Sequence, residues 1–195
     1  MADFVKTHPL GDLAELSQSS GSDSDVTLTI RHGFSTAQVF ARRGKESAAA
    51  DKLKLSTEAG QATDSRNATY LPLSPGQWLA ISKKSETAFA GQLSKKLKGL
   101  GYASDQSDSR VCFRISGPKA RDVMSRGCRL DLHESVAGKG FCAQTTMAQV
   151  GVIIHQSQSD PVYDIYVYSG FARSFWHWLS HTAAQFGYDV NTEAL

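Results

Sequence analysis

The sequence predicts an α+β fold built from two similar halves, with antiparallel sheets packed against helices. Segments that alternate apolar and polar residues, Val26-Leu28-Ile30 and Val111-Phe113-Ile115 among them, present one apolar face as half-buried strands do. Other segments carry one apolar stripe at helical spacing, the clearest being Phe175, Trp178, Leu179, Thr182, Ala183 and Phe186. Elements with a single apolar face bury it against one another, here helix on sheet. The third observation is an internal repeat. Aligning Gly101-Tyr102 with Gly187-Tyr188 sets Phe89 on Phe175, Leu93 on Leu179, Ser94 on Ser180 and Ile81 on Val167. A second alignment sets Phe40 on Phe113 and Gly44 on Gly117. Amphipathic helices share that many residues by chance, so it is the common order of elements that favours duplication.

Taken in order, Ser17 to Asp25 is polar, small and acidic, which predicts a flexible segment over residues 1–25. A duplicated domain follows over 26–189, in halves of about 26–104 and 105–189, with a tail at 190–195. Strand Val26-Leu28-Ile30 comes first, and His32-Gly33 turns the chain into a second strand near Ala37 to Arg42. The Ala-rich stretch from Ser47 to Leu55 predicts a helix ending by Gly60. Residues 70–81 read as two strands around Ser74-Pro75-Gly76, with Trp78 at the rim of the core. Phe89, Leu93, Leu97 and Leu100 predict a helix capped by Ser85, with Glu86 in its first turn. Lys95, Lys96 and Lys98 decorate it, read as a solvated face that can also receive an acidic partner.

The stretch 111–133 is the centre of the pattern. A strand at Val111-Phe113-Ile115 feeds a helix with Gly117 as N-cap, Pro118 in the first position and Gly127 as the stop, its apolar face being Ala120, Val123 and Met124. Residues 127–133 then form a turn packed onto the core. Met147 to Ile154 reads as one apolar strand, and a turn at Ser157 to Pro161 pairs it with Tyr163 to Tyr168. The final helix ends at Gly187.

Composition excludes several classes. The chain has 195 residues, and 41% are hydrophobic, enough to bury a core. A net charge of +2 provides no broad positive field, so nucleic acid is not an expected partner. Asp3, Lys6, Asp12 and Glu15 interrupt the first residues, which therefore lack a signal-peptide apolar run, and no run reaches membrane length. Cys112, Cys128 and Cys142 are odd in number and form no C-x-x-C pair, the pattern of buried reduced thiols in a cytoplasmic protein.

The chemical constellations are weak. His177 and His181 have a metal-compatible i,i+4 spacing, but Trp178 occupies the place of a metalloprotease glutamate. With Phe175 as the centre of the apolar face, they lie about 200° and 240° round the helix, on its outer side. Asp131 and His133 read as hydrogen-bond formers to the local backbone. Gly138 and Gly140 around Lys139 lack phosphate-loop spacing, and no dinucleotide fingerprint, serine elbow or Cys/His set identifies an enzyme. No catalytic, cofactor-binding or metal residue is assigned.

Several motifs occur together and in order: Ser74-Pro75-Gly76-Gln77-Trp78-Leu79, Ile115-Ser116-Gly117-Pro118-Lys119-Ala120-Arg121-Asp122-Val123, Gly127-Cys128-Arg129-Leu130-Asp131-Leu132-His133, Cys142-Ala143-Gln144-Thr145 and Phe175-Trp176-His177-Trp178-Leu179. Together they resemble the gamma subunit of bacterial heterotetrameric sarcosine oxidase. That family is similar to the folate-binding domain of the glycine-cleavage T protein, an internally duplicated α+β fold, so the resemblance implies an aminomethyltransferase-like fold here. It also implies membership of an oxidoreductase complex that demethylates sarcosine to glycine, with hydrogen peroxide and formaldehyde or methylenetetrahydrofolate. FAD, FMN, NAD and tetrahydrofolate are then expected in larger partner subunits, and none on this chain. The aminomethyltransferase relatives carry acidic residues where this sequence reads Arg66-Asn67, so no folate role is carried over. Lys139-Gly140-Phe141-Cys142-Ala143-Gln144 is faintly similar to the K-G-C-Y-x-G-Q motif of folate-dependent iron–sulfur repair proteins, with the cysteine displaced by one.

Two readings follow. The preferred one is an accessory, non-catalytic subunit held in a hetero-oligomer by an interface for which Arg121, Arg129, Trp176 and His177 are candidates, Trp and Arg being the usual anchors. The alternative is a free-standing folate-binding one-carbon transfer protein that uses the hole between the halves.

Overall fold

The structure, a computed structural model, describes residues 8–12, 24–56 and 58–194. Most of the segment expected to be flexible, 1–7 and 13–23, lies outside the described residues. Four layers stack as helices, sheet, sheet, helices, and each interface has its own apolar cluster.

One five-stranded sheet comprises β2 (Thr36–Ala41), β3 (Thr63–Asp64), β4 (Ala68–Ser74), β5 (Gln77–Ser82) and β6 (Gly101–Asp105), in the order β3-β4-β5-β2-β6. The helices α1 (Glu46–Leu53) and α2 (Phe89–Lys96) cover its outer face. Ala49, Ala50, Phe89, Leu93 and Leu97 bury their side chains against Val39, Tyr70, Trp78 and Ala80. The chain path β2-α1-β4-β5-α2-β6 is the split βαβ arrangement.

The second sheet repeats that path with β7 (Arg110–Ser116), α3 (Ala120–Ser125), β9 (Val150–Gln158), β10 (Val162–Tyr168), α4 (Ala172–Ala183) and β11 (Tyr188–Ala194). Its order is β11-β1-β7-β10-β9-β8, so it gains β8 (Cys142–Met147) at one edge and β1 (Val26–His32) inside. The repeat read from the sequence has this registration, with Phe89 and Phe175 both buried on the second helix of their unit. Phe175, Leu179 and Ala183 join Phe113, Ile115, Ile165 and Val167 in the largest core.

Several expectations are corrected. β1 forms where the sequence predicts it, in a different sheet from β2. It lies between β11, to which it is parallel, and β7, to which it is antiparallel. Residues 190–194, read as part of a tail, are the outer strand of that parallel pair, with Val190 opposite Leu28. The helix α2 starts at Phe89 with Ala88 at its N-cap, not at Ser85, because the Glu86 N–H donates to Ser35 Oγ at 2.8 Å and holds that stretch in a loop. Likewise Lys119, not Gly117, is the N-cap of α3; Gly117 has φ +105° and passes close to the Asp25 carbonyl, where a side chain would clash. The strand expected over 147–154 is broken at Ala148 and Gln149, whose φ values of 50° and 65° make a two-residue hairpin turn between β8 and β9. Trp78 is 7% exposed, packed in the cluster under the helices while lining a surface hollow with Ser74, Pro75 and Gly76.

Candidate functional site between the two sheets

Strand alternation assigns each side chain to one of two layers. On β7, Val111, Phe113 and Ile115 point to the helices, so Cys112 and Arg114 point to the other sheet. The same rule turns Asp164 and Tyr166 of β10, His155 of β9 and Arg31 of β1 inward between the sheets. Leu71, Leu79 and Ile81 meet them from β4 and β5, together with Cys142, Ile153 and Tyr166. One end of this interlayer is apolar and close-packed. The other is charged, with a cavity of about 240 Å³.

The charged end is built by strand register. Asp164, 2% exposed, is the cross-strand partner of Arg114, and it accepts hydrogen bonds from Arg114 Nε at 2.7 Å and Nη2 at 2.9 Å. Arg31 Nη1 donates to the same carboxylate at 3.2 Å. Arg31 is the direct partner of Glu193 across β1 and β11, and its Nε donates to Glu193 Oε2 at 2.7 Å. Arg114 Nη1 lies 3.5 Å from that oxygen, which closes a ring of two guanidiniums and two carboxylates. From the opposite sheet, Asp64 is bonded to Lys83 Nζ at 2.8 Å and receives the Thr69 hydroxyl at 2.9 Å.

The surroundings set the charge states. Burial opposes the charge on Arg31 and Arg114, but Asp164 and Glu193 outweigh it and raise both. His155 is 7% exposed; burial holds its pKa below 6.5 despite Asp164 and Asp64, and its buried Nδ1 has no hydrogen-bond partner. Burial likewise pushes the Cys112 thiol and the Tyr166 hydroxyl well above their ordinary values. For Asp64, Lys83 and Thr69 outweigh burial and lower the carboxyl. At neutral pH this cluster holds a neutral imidazole, a thiol, a phenol and internally satisfied ion pairs.

Tetrahydrofolate does not fit here. The volume of this cavity, about 240 Å³, falls below the roughly 300–1,000 Å³ of ordinary small-molecule sites, and Leu71, Leu79, Ile81, Ile153 and Tyr166 form an apolar cluster beside it.

The interface candidates lie elsewhere, on the outer helical layer. Arg121 is half-buried on α3, and its buried Nε has no partner. Arg129 is exposed in the turn after α3. Trp176 is half-buried on α4, its ring stacked on Phe113 at 5.9 Å, and His177 beside it is exposed. Among the described residues no hydrogen bond or ion pair joins these four to one another. His181 is exposed as its helical position predicts. Asp131 Oδ1 accepts the His133 N–H at 2.9 Å, the expected local bond. All three cysteines are buried free thiols.

The ring of Arg31, Arg114, Asp164 and Glu193 was not singled out by sequence reasoning. Its signal was present, since Arg114 and Asp164 are charged residues at the alternate positions of otherwise apolar strands. Arg66 and Asn67 are exposed and do not line the cavity between the sheets; the carboxylate that does is Asp64.

Residues 44–185 match the family model described as sarcosine oxidase, gamma subunit family. A sarcosine oxidase subunit gamma from Arthrobacter sp. is 28% identical over 189 residues, covering 93% of this chain and 92% of the relative. Another from Corynebacterium sp. (strain P-1) is 27% identical over 114 residues, covering 58% and 56%. Among solved structures, a chain of the heterotetrameric sarcosine oxidase from Corynebacterium sp. U-96 superposes with a TM-score of 0.81 at 22% identity, covering 93% of this chain and 96% of that one. The glycine cleavage system aminomethyltransferase T from Bartonella henselae gives 0.62 at 17% identity, covering 96% of this chain and 52% of that one. The fold is thus shared with both, and the match over 44–185 carries the assignment: the chain belongs to the sarcosine oxidase, gamma subunit family.

Proposed function

We propose that this chain is the accessory, non-catalytic gamma subunit of a heterotetrameric flavoprotein sarcosine oxidase. The complex converts sarcosine to glycine, with hydrogen peroxide and formaldehyde or methylenetetrahydrofolate as the other products. FAD, FMN, NAD and tetrahydrofolate reside in the larger subunits, and the assembly is cytoplasmic. The observation that carries the reading is the family match over residues 44–185. The buried ion pairs are consistent with it, because Arg31, Arg114 and Asp164 satisfy one another rather than facing a ligand. No helix among the described residues is long and apolar enough to cross a membrane.

The outer helical layer is the proposed contact with the larger subunits, through Arg121, Arg129, Trp176 and His177. Trp176 presents part of an aromatic ring whose other face is fixed on Phe113, which limits the entropy lost on docking. The test is affinity purification of the tagged chain from its native cells. Larger chains with a yellow flavin spectrum are expected, and Trp176→Glu with His177→Glu is expected to lose them. A colourless lone chain that binds tetrahydrofolate tightly and saturably overturns the proposal in favour of a free-standing one-carbon transfer protein.

A further inference from the structure

A second concavity, about 470 Å³, opens on the helical side of the first sheet, between α1, α2 and the turn that precedes β4. Its floor is apolar, formed in part by Phe89, Leu93 and Tyr70. Its rim carries Lys52, Lys54, Arg66 and Lys96. Among the described residues none of these four cations is in an ion pair. The one carboxylate in the lining, Glu86, is engaged by Lys84 at 3.2 Å. The Tyr70 residue is 6% exposed, and its hydroxyl has no hydrogen bond among the described residues. A chain whose net charge is only +2 thus gathers four cations, none of them in an ion pair among the described residues, round one apolar hollow.

We infer that this cleft docks an acidic segment of a partner subunit, with an apolar or aromatic side chain seated on Leu93 and Phe89 and carboxylates facing the rim. The inference rests on the accessory-subunit reading. The arrangement favours a peptide over a small anion. The cations come from three separate stretches of chain around the hollow, so they can meet carboxylates distributed along a segment. The floor offers apolar area that a free phosphate or carboxylate leaves unused. Tyr70, which lines the cleft, supplies a hydroxyl that can donate to a segment's carbonyl or carboxylate.

The test uses the assembled complex, with the large subunits tagged and the salt concentration raised stepwise. Lys52→Glu with Lys96→Glu reverses two rim charges. Lys95→Glu with Lys98→Glu makes the same change of net charge on and just after α2, outside the cleft. The rim variant is expected to bind at least tenfold more weakly and to dissociate at several-fold lower salt, while the control behaves as the wild type. A photo-crosslinker at Gln92, which lines the cleft, is expected to capture an Asp/Glu-rich peptide of a larger subunit. Equal behaviour of the two variants overturns the inference. So does protection of Lys54 and Lys96 from acylation by millimolar inorganic phosphate without protection by complex formation, which assigns the cleft to a small anion. Failure of the wild-type chain to hold the large subunits is a separate result, and sinks the accessory-subunit reading itself.

Discussion

Arg114 and Asp164 stand directly opposite one another across β7 and β10, and the guanidinium grips the carboxylate with both Nε and Nη2. Register alone brings the pair together in the middle of a sheet, and the second sheet covers it. Arg31 and Glu193 extend the pair into a ring whose four members come from four neighbouring strands.

Removing Asp164 leaves the two largely buried guanidiniums of Arg31 and Arg114 with only the partly exposed Glu193 between them. Asp164→Asn is expected to destabilise the chain by about 3–5 kcal/mol, the ordinary cost of breaking a buried ion pair from one side. Replacing Arg114 and Asp164 together by Met and Leu is expected to cost markedly less. Thermal or urea denaturation of the two variants measures the difference.

Stability is expected to fall as pH drops below about 6.5. Burial holds His155 below that value in the folded protein, with Asp164, Asp64, Arg114 and Arg31 around it. His8 is lowered too, by burial and by His32. On acidification the unfolded chain therefore takes up protons that the folded chain refuses, and the balance shifts toward unfolding; above the unfolded value this effect is absent. His155→Gln is expected to flatten the slope of urea midpoint against pH between 7 and 5.5.

The hairpin turn between β8 and β9 holds Ala148 and Gln149 at positive φ, where side chains other than Gly and Asn are strained. Ala148→Asn with Gln149→Gly supplies the residues that such a turn prefers. A gain of about 1 kcal/mol is expected in chemical denaturation. An unchanged midpoint would mean that the hairpin's packing already compensates the turn.

The thiols are expected to be unreactive in the folded chain. Burial pushes Cys142 to about 12 and raises Cys112 and Cys128 as well, so thiolate is scarce at pH 8. Ellman's reagent should titrate all three cysteines in denaturant and none within minutes in buffer. Rapid reaction of one thiol in buffer would show a local opening of the layer that covers it.

The alternation of Val111, Phe113 and Ile115, the stripe of Phe175, Leu179 and Ala183, and the matched Phe89 and Phe175 were legible because each depends only on residues a few positions apart, or on two copies of one pattern. Those features determined the α+β class, the covering helices and the repeat. The sequence motifs likewise determined the family. The tertiary structure decided what distant segments do to one another. It placed β1 between β7 and β11, where Arg31 meets Glu193 across 162 residues of chain, and so turned an expected tail into a sheet edge. It also selected Asp64 rather than Arg66 and Asn67 as the residue facing the cavity between the sheets. Strand partners and interlayer neighbours are chosen by which apolar faces remain to be covered once the layers close, and no local pattern of residues encodes that choice.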